Sequence, residues 1–219
     1  MKVNLCPSMM CARYGNLERE IELLEIAGAD IFHLDIMDGQ YVPNLGMGLQ
    51  DVKYICKNSH IKTEVHLMIE QPSRYIDLMA DCGADIIYVH PESEYHIITT
   101  LQQIREMGLD SGIVINPGTS VESVLELLNI VDRVMIMGVN PGHAGQMYLP
   151  YAEKKIDKLL DLTNEYGYSI GMDGACNLER IARLSKRGVK NFVLGTAALF
   201  NGDMDYASRF RDIRKEIGG

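Results

Sequence analysis

Eight short apolar runs alternate with stretches of helical periodicity along the 219 residues, and this alternation leaves few folds open. The runs cover residues 3–6, 31–37, 62–68, 85–90, 112–116, 133–138, 169–173 and 191–195. Helical spacing follows over 17–27, 72–82, 96–107, 121–130, 151–166 and 178–187, with a last helix over roughly 204–217. Continuous apolar runs suit parallel strands covered on both faces. Eight strand-helix units in a chain of this length predict an α/β fold, the (β/α)8 TIM barrel, as one domain over 1–219. A doubly wound open sheet fits less well. No Gly-x-Gly-x-x-Gly turn follows the first run, and polar residues recur at the carboxyl ends of many strands rather than at one switch point. Gly28, Gly83, Gly108, Gly167 and Gly188 stand where left-handed helix caps belong. Gly28-Ala29-Asp30-Ile31 recurs as Gly83-Ala84-Asp85-Ile86, an echo of one repeating unit.

The bulk properties exclude several classes. No apolar stretch reaches the ~18 residues of a membrane span. The amino terminus lacks a long apolar segment of the secretory type, which implies a cytoplasmic protein. The net charge is −9 without a dense Lys/Arg stripe, so no nucleic-acid surface is expected. Five cysteines, an odd count without a C-x-x-C pair, argue against a disulfide framework or zinc ribbon and for a reducing compartment. They read as packing residues, Cys176 least clearly because it follows Asp173-Gly174.

Two strand ends depart from the apolar rule: His33-Leu34-Asp35-Ile36-Met37-Asp38-Gly39 and Glu64-Val65-His66-Leu67-Met68. Alternation puts His33, Asp35 and Met37 on one face of a strand, and Glu64, His66 and Met68 on one face of the next. Burial penalises such groups unless they are paired or bind metal. In a barrel the carboxyl ends converge, which would gather Ser8, His33, Asp35, Met37, His66, Met68, His90, Asn116, Met137, Asn140 and Asp173. His33, Asp35, His66 and Asp173 form a mixed nitrogen and oxygen set for one divalent ion: Zn, Mn, Fe or Co. Two carboxylates across a small cavity suit proton removal from carbon on one face and return on the other, with a metal polarising the adjacent carbonyl. Asp38, next to Gly39, reads instead as a turn residue. Met37, Met68 and Met137 stand at corresponding strand ends and are expected to line the site. Glycine-bearing turns at Gly142-His143-Ala144-Gly145-Gln146, Asp173-Gly174-Ala175-Cys176-Asn177 and Gly195-Thr196-Ala197 let backbone approach an anion. The last two fall where barrels frequently bind phosphate.

The assembled motifs resemble the ribulose-phosphate 3-epimerase family over nearly the whole chain. They are Cys6-Pro7-Ser8-Met9-Met10, the His33–Gly39 run, Val42-Pro43-Asn44, His66-Leu67-Met68, Asn116-Pro117-Gly118-Thr119, Val139-Asn140-Pro141-Gly142, Asp173-Gly174 and Gly195-Thr196. The resemblance implies a divalent metal on His33, Asp35, His66 and Asp173, with Asp35 and Asp173 as the acid/base pair at C3. It implies sugar contacts from Ser8 and His66. It assigns the substrate and its phosphate to Gly142, His143, Ala144, Gly145, Gly174, Ala175, Gly195 and Thr196, and the cavity lining to Met37, Met68 and Met137. It also implies a homo-oligomer acting on a small-molecule ketose phosphate. Four positions depart from the family pattern. Arg13 replaces an Asp, Gly138 a Thr, His143 an aromatic, and Gly171-Met172-Asp173-Gly174-Ala175 stands for Glu-Val-Asp-Gly-Gly. None removes a ligand or base. Met9-Met10-Cys11, His90-Pro91-Glu92, Asp173–Asn177 and residues 195–201 look more like the allulose-6-phosphate 3-epimerase branch. The favoured substrate is therefore D-allulose 6-phosphate, giving D-fructose 6-phosphate. The alternative is D-ribulose 5-phosphate, giving D-xylulose 5-phosphate. A non-catalytic sugar-phosphate-binding barrel is the alternative of another class, and it has no use for two opposed bases. Decarboxylases that share this barrel carry an Asp-x-Lys-x-x-Asp run, which this chain lacks.

Overall fold

Every apolar run becomes a strand in the computed structural model, which describes residues 2–202 and 205–218. The strands are β1 (Asn4–Pro7), β2 (Ile31–Met37), β3 (Lys62–Met68), β4 (Ile86–Val89), β5 (Asp110–Ile115), β6 (Arg133–Met137), β7 (Ser169–Asp173) and β8 (Asn191–Leu194). All pair in parallel, in the order β1-β8-β7-β6-β5-β4-β3-β2. A parallel bridge from Ser8 to His33 brings the two ends of the sheet together. The result is the (β/α)8 barrel expected from the alternation.

The helices are α1 (Leu17–Ala27), α2 (Leu49–Asn58), α3 (Ile76–Cys82), α4 (Ile97–Glu106), α5 (Glu153–Tyr166), α6 (Leu178–Arg187) and α7 (Tyr206–Ile217). Three expectations need correction. The stretch after β5 is a 3-10 helix, Glu122–Asn129, not an α-helix. Its buried residues are Val124, Leu127 and Leu128, at i, i+3 and i+4, a spacing that an α-helix would also show. Residues 72–75 and 150–152 are also 3-10 turns, each opened by a proline, leading into α3 and α5. Helix α2 escapes a reading of the sequence alone. It is short, and Val52 and Ile55 are its only buried residues. Its start is marked by the Asp51 carboxylate, which accepts the Gly48 N–H at 2.9 Å. The expected start of the last helix at Met204 lies outside the described residues.

The Gly-Ala-Asp echo has a structural basis. The Asp30 carboxylate accepts the Leu5 N–H at 2.8 Å and the Asp85 carboxylate accepts the Thr63 N–H at 2.8 Å. Asp132, at the start of β6, does the same for Ser111 N–H at 2.9 Å. An aspartate at the foot of each of these even-numbered strands thus satisfies an amide on the preceding odd one, including before β6, where the tetrapeptide itself is absent.

Alternation along the strands divides the interior. Phe32, Leu34, Val65 and Leu67 face outward into the main core under the helices. Inside the barrel, Cys6, Ile31, Ile86, Tyr88, Val114 and Met135 fill the lower part. Burying a Phe, Leu or Val side chain contributes about 1.5–3 kcal/mol, and this outer layer is the principal source of stability. The polar side chains His33, Asp35, Glu64 and His66 occupy the inner faces of β2 and β3, where that gain is forgone.

Candidate active site

The register of β2 and β3 sets His33 beside Glu64, Asp35 beside His66 and Met37 beside Met68. Asp173 ends β7, three strands away from β2 around the closed barrel. One ligand atom from each of His33, Asp35, His66 and Asp173 lies within 4.8 Å of the others. His33 Nε2 stands 3.3 Å from Asp35 Oδ1 and 3.9 Å from Asp173 Oδ2. His66 Nδ1 is 3.5 Å from each of the same two oxygens. Donors about 2.1 Å from a common tetrahedral centre stand about 3.4 Å apart, so these spacings fit a cation between them. His33 Nε2 and His66 Nδ1 are also buried without a hydrogen-bond partner. Two lone-pair-bearing atoms aimed at one point between two carboxylates are what such an ion needs.

The outer nitrogens are held. Glu64 Oε1 is 2.7 Å from His33 Nδ1, and His66 Nε2 is 2.9 Å from His90 Nε2. Electrostatics follow from this packing. Burial opposes charge on His33, but the nearby Asp35 carboxylate and the bond to Glu64 raise its pKa well above the ordinary value. Burial alone would raise Asp35, yet His33 and then His66 hold it far below the usual carboxylate range. For His90, burial and the neighbouring His66 push the pKa well below normal, leaving it neutral.

A cavity of about 320 Å3 opens above these groups. Ser8, Asp35, Met37, Met68, Met137, Asp173 and all three glycine-bearing turns line it, including Gly142, His143, Ala144, Gly145, Gly174, Ala175, Gly195 and Thr196. His66 does not. It is fully buried, and its two nitrogens face the carboxylates and His90 rather than the open space. His90 and Asn116 likewise lie behind the wall. The Asn116 amide donates to the Tyr41 hydroxyl and to Glu92. Asp38 is the turn residue expected, accepting from the backbone N–H groups of Gln40, Tyr41 and Glu70. Met10, Cys11, Val139 and Val193 also line the cavity, and the sequence motifs do not single them out for that role. Met10 and Cys11 follow Ser8 closely, so proximity to that residue is the available signal.

Two departures have visible causes. A Cβ at Gly138 would stand 2.6 Å from the Met172 methyl, 2.7 Å from the Gly174 carbonyl and 3.0 Å from the Tyr148 ring. Tyr148 fills this space, carrying the Arg180 guanidinium 3.6 Å over its ring. Arg180 also donates to the Ala175 carbonyl, which fastens the turn after β7 to the loop after β6. A Cβ at Gly171 would stand 2.8 Å from Met135 Sδ, so its absence makes room for that thioether inside the barrel. Across the mouth, Asn44 donates to the Gly142 carbonyl at 2.7 Å, which gives Val42-Pro43-Asn44 a role in holding the same loop.

Comparison with known proteins agrees with this geometry. The model of the Ribulose-phosphate 3 epimerase family matches residues 4–200. The ribulose-phosphate 3-epimerase of Bacillus subtilis (strain 168) is 35% identical over 215 residues, covering 97% of this chain and 98% of that protein. The one from Rhodobacter capsulatus is 38% identical over 204 residues, 92% and 88% of the two chains. Among solved structures, KGPDC from Streptococcus mutans superposes with a TM-score of 0.71 at 12% identity, over 100% of this chain and 98% of that one. 3-Hexulose-6-phosphate synthase from Salmonella typhimurium gives 0.69 at 15%, over 99% and 98%. At such identities these two speak for the fold alone. The protein is a (β/α)8-barrel isomerase, a carbohydrate epimerase by class. The chain belongs to the ribulose-phosphate 3-epimerase family.

Proposed function

We propose that this chain is a metal-dependent 3-epimerase of a ketose phosphate, working by two-carboxylate proton transfer at C3. The observation that carries this is the pair of buried, unpartnered imidazole nitrogens facing Asp35 and Asp173 at the floor of a cavity ringed by glycine-bearing turns. His33, Asp35, His66 and Asp173 would hold the ion, which when bound polarises the substrate carbonyl and favours the enediolate. Asp35 and Asp173 would take and return the C3 proton on opposite faces of the substrate. Ser8 holds one oxygen of Asp35 through a 2.6 Å hydrogen bond. The thioethers of Met37, Met68 and Met137 exclude water without offering competing hydrogen bonds. The turns after β6, β7 and β8 would bind the phosphate through backbone N–H groups.

D-Ribulose 5-phosphate is the substrate the relatives' names favour, displacing the expectation of D-allulose 6-phosphate from first place. The hexulose reading is kept because the residues that suggested it, Met10, Cys11, Ala175, Cys176, Thr196 and Ala197, fall on the cavity wall. Metal-reconstituted protein assayed on both substrates in parallel decides between them by kcat/KM. Turnover of neither, with no solvent deuterium entering C3, would sink the epimerase reading and leave a sugar-phosphate-binding barrel.

A further inference from the structure

We propose that Glu64 is a positioning residue for the ion site: it keeps the proton of His33 on Nδ1, so that Nε2 presents its lone pair to the ion. The proposal rests on the metal reading above. Its geometry is independent of that reading. The β2-β3 register sets the two residues side by side. Their side chains are both 0% exposed, and the 2.7 Å contact joins Glu64 Oε1 to Nδ1, the nitrogen away from Asp35 and Asp173. A neutral imidazole carries one N–H, and an ionised carboxylate can only accept. A proton between the two therefore keeps Nδ1 as the N–H of the neutral ring, so Nε2, which has no hydrogen-bond partner among the described residues, is the nitrogen that would face the ion.

A second observation concerns what lies below. Glu64 Oε2 is buried without a hydrogen-bond partner, so the carboxylate is poorly compensated by local bonds. At the lower end of the barrel the Arg133 guanidinium, on β6, is pinned by Asp110 at 2.9 Å. Two separate pairs, Asp110 with Arg133 and Glu64 with His33, thus stand on the strands of the barrel, the second at the ion site. A carboxylate oxygen bonded to the outer nitrogen orients the ring and makes the imidazole a stronger donor to a cation. His66 is backed differently, by the neutral ring of His90, so the two imidazole ligands are unequal by construction.

The test is ion binding rather than turnover. Metal-stripped wild type, Glu64→Gln and Glu64→Leu are titrated with Co2+ against a chromophoric chelator, with circular dichroism of the metal-free proteins as the folding control. Wild type should take one ion per chain. Glu64→Gln keeps an acceptor oxygen and loses the charge, and should bind about tenfold more weakly. Glu64→Leu loses both and should bind about a hundredfold more weakly, at the upper end for such outer partners. If Glu64→Leu fails to fold, Glu64→Gln decides alone. Folded variants that bind within twofold of wild type would overturn the positioning role while leaving the ion site intact. A wild type that takes up no ion would overturn both.

Discussion

Ser8 Oγ donates to Asp35 Oδ2 at 2.6 Å, and this bond gives the two oxygens of one carboxylate different surroundings. Oδ1 faces the two imidazoles. Oδ2 is held from the end of β1, because the Ser8–His33 bridge places the serine beside β2. A hydrogen bond to a charged group contributes about 1.5–3 kcal/mol. Ser8→Ala should therefore lower kcat by roughly 10- to 100-fold with the fold retained, since about 1.4 kcal/mol is a factor of ten. Steady-state kinetics check this. An unchanged kcat with a raised KM would instead make Ser8 a sugar-binding residue only, as the family resemblance implied.

Asp173 is the more accessible of the two carboxylates, with its side chain 15% exposed against 6% for Asp35. It ends β7 beside the two imidazoles and, among the described residues, its carboxylate accepts no hydrogen bond like the one from Ser8 to Asp35. Asp173→Asn is nearly isosteric and should lower turnover by about 100- to 10,000-fold, the range for loss of a general acid or base. Metal analysis of the purified variant, made alongside, separates loss of the base from loss of the ion. Wild-type turnover in a folded variant would rule out a two-carboxylate mechanism.

Much of this architecture is legible in the amino-acid sequence. The bounds of β2, β3 and β7 match their apolar runs, because each is a run of alternating inner and outer residues with abrupt ends. The four polar residues of the ion site stand out because an inner strand face has no other use for His33 and His66. Three-dimensional register is not legible. Nothing in the local pattern says that Glu64 lies beside His33 rather than His66, or that His90 supports His66 from behind the wall instead of facing substrate. The 3-10 helix at Glu122–Asn129 passes for an α-helix because its buried residues Val124, Leu127 and Leu128 stand at i, i+3 and i+4, the spacing of an α-helical face.

Gly138 offers a test of how tightly the phosphate-side turns are built. Restoring the family's threonine would place a Cβ 2.7 Å from the Gly174 carbonyl and 2.6 Å from the Met172 methyl. The methyl can swing away, but the carbonyl is backbone and belongs to the turn after β7. Gly138→Thr should cost about 1–3 kcal/mol, as overpacking does. The strain falls on a turn that lines the cavity, so KM should rise. Urea unfolding and steady-state kinetics measure the two effects. Unchanged stability would mean that the turn and Tyr148 shift freely.

The metal-free site predicts a particular dependence of stability on pH. Burial opposes charge on His33, but Asp35 and Glu64 raise its folded-state pKa well above normal. The resulting stabilisation is complete below the unfolded value of about 6.5 and is lost as pH rises through the folded value. Burial likewise opposes charge on Asp35, while His33 and His66 lower its folded-state pKa. That stabilisation is complete above the unfolded value of about 3.9 and is lost only as pH falls toward the folded one. Metal-free protein therefore draws fully on both groups between about pH 4 and 6.5, and its Tm should decline on the alkaline side. A bound divalent cation takes the place of the proton at His33 Nε2, so its affinity should strengthen as pH rises and the alkaline decline should disappear. Scanning calorimetry from pH 6 to 9, with and without Zn2+, compares the two curves. A metal-free Tm that stays flat across this range would mean that the His33–Asp35 pair contributes nothing to folding.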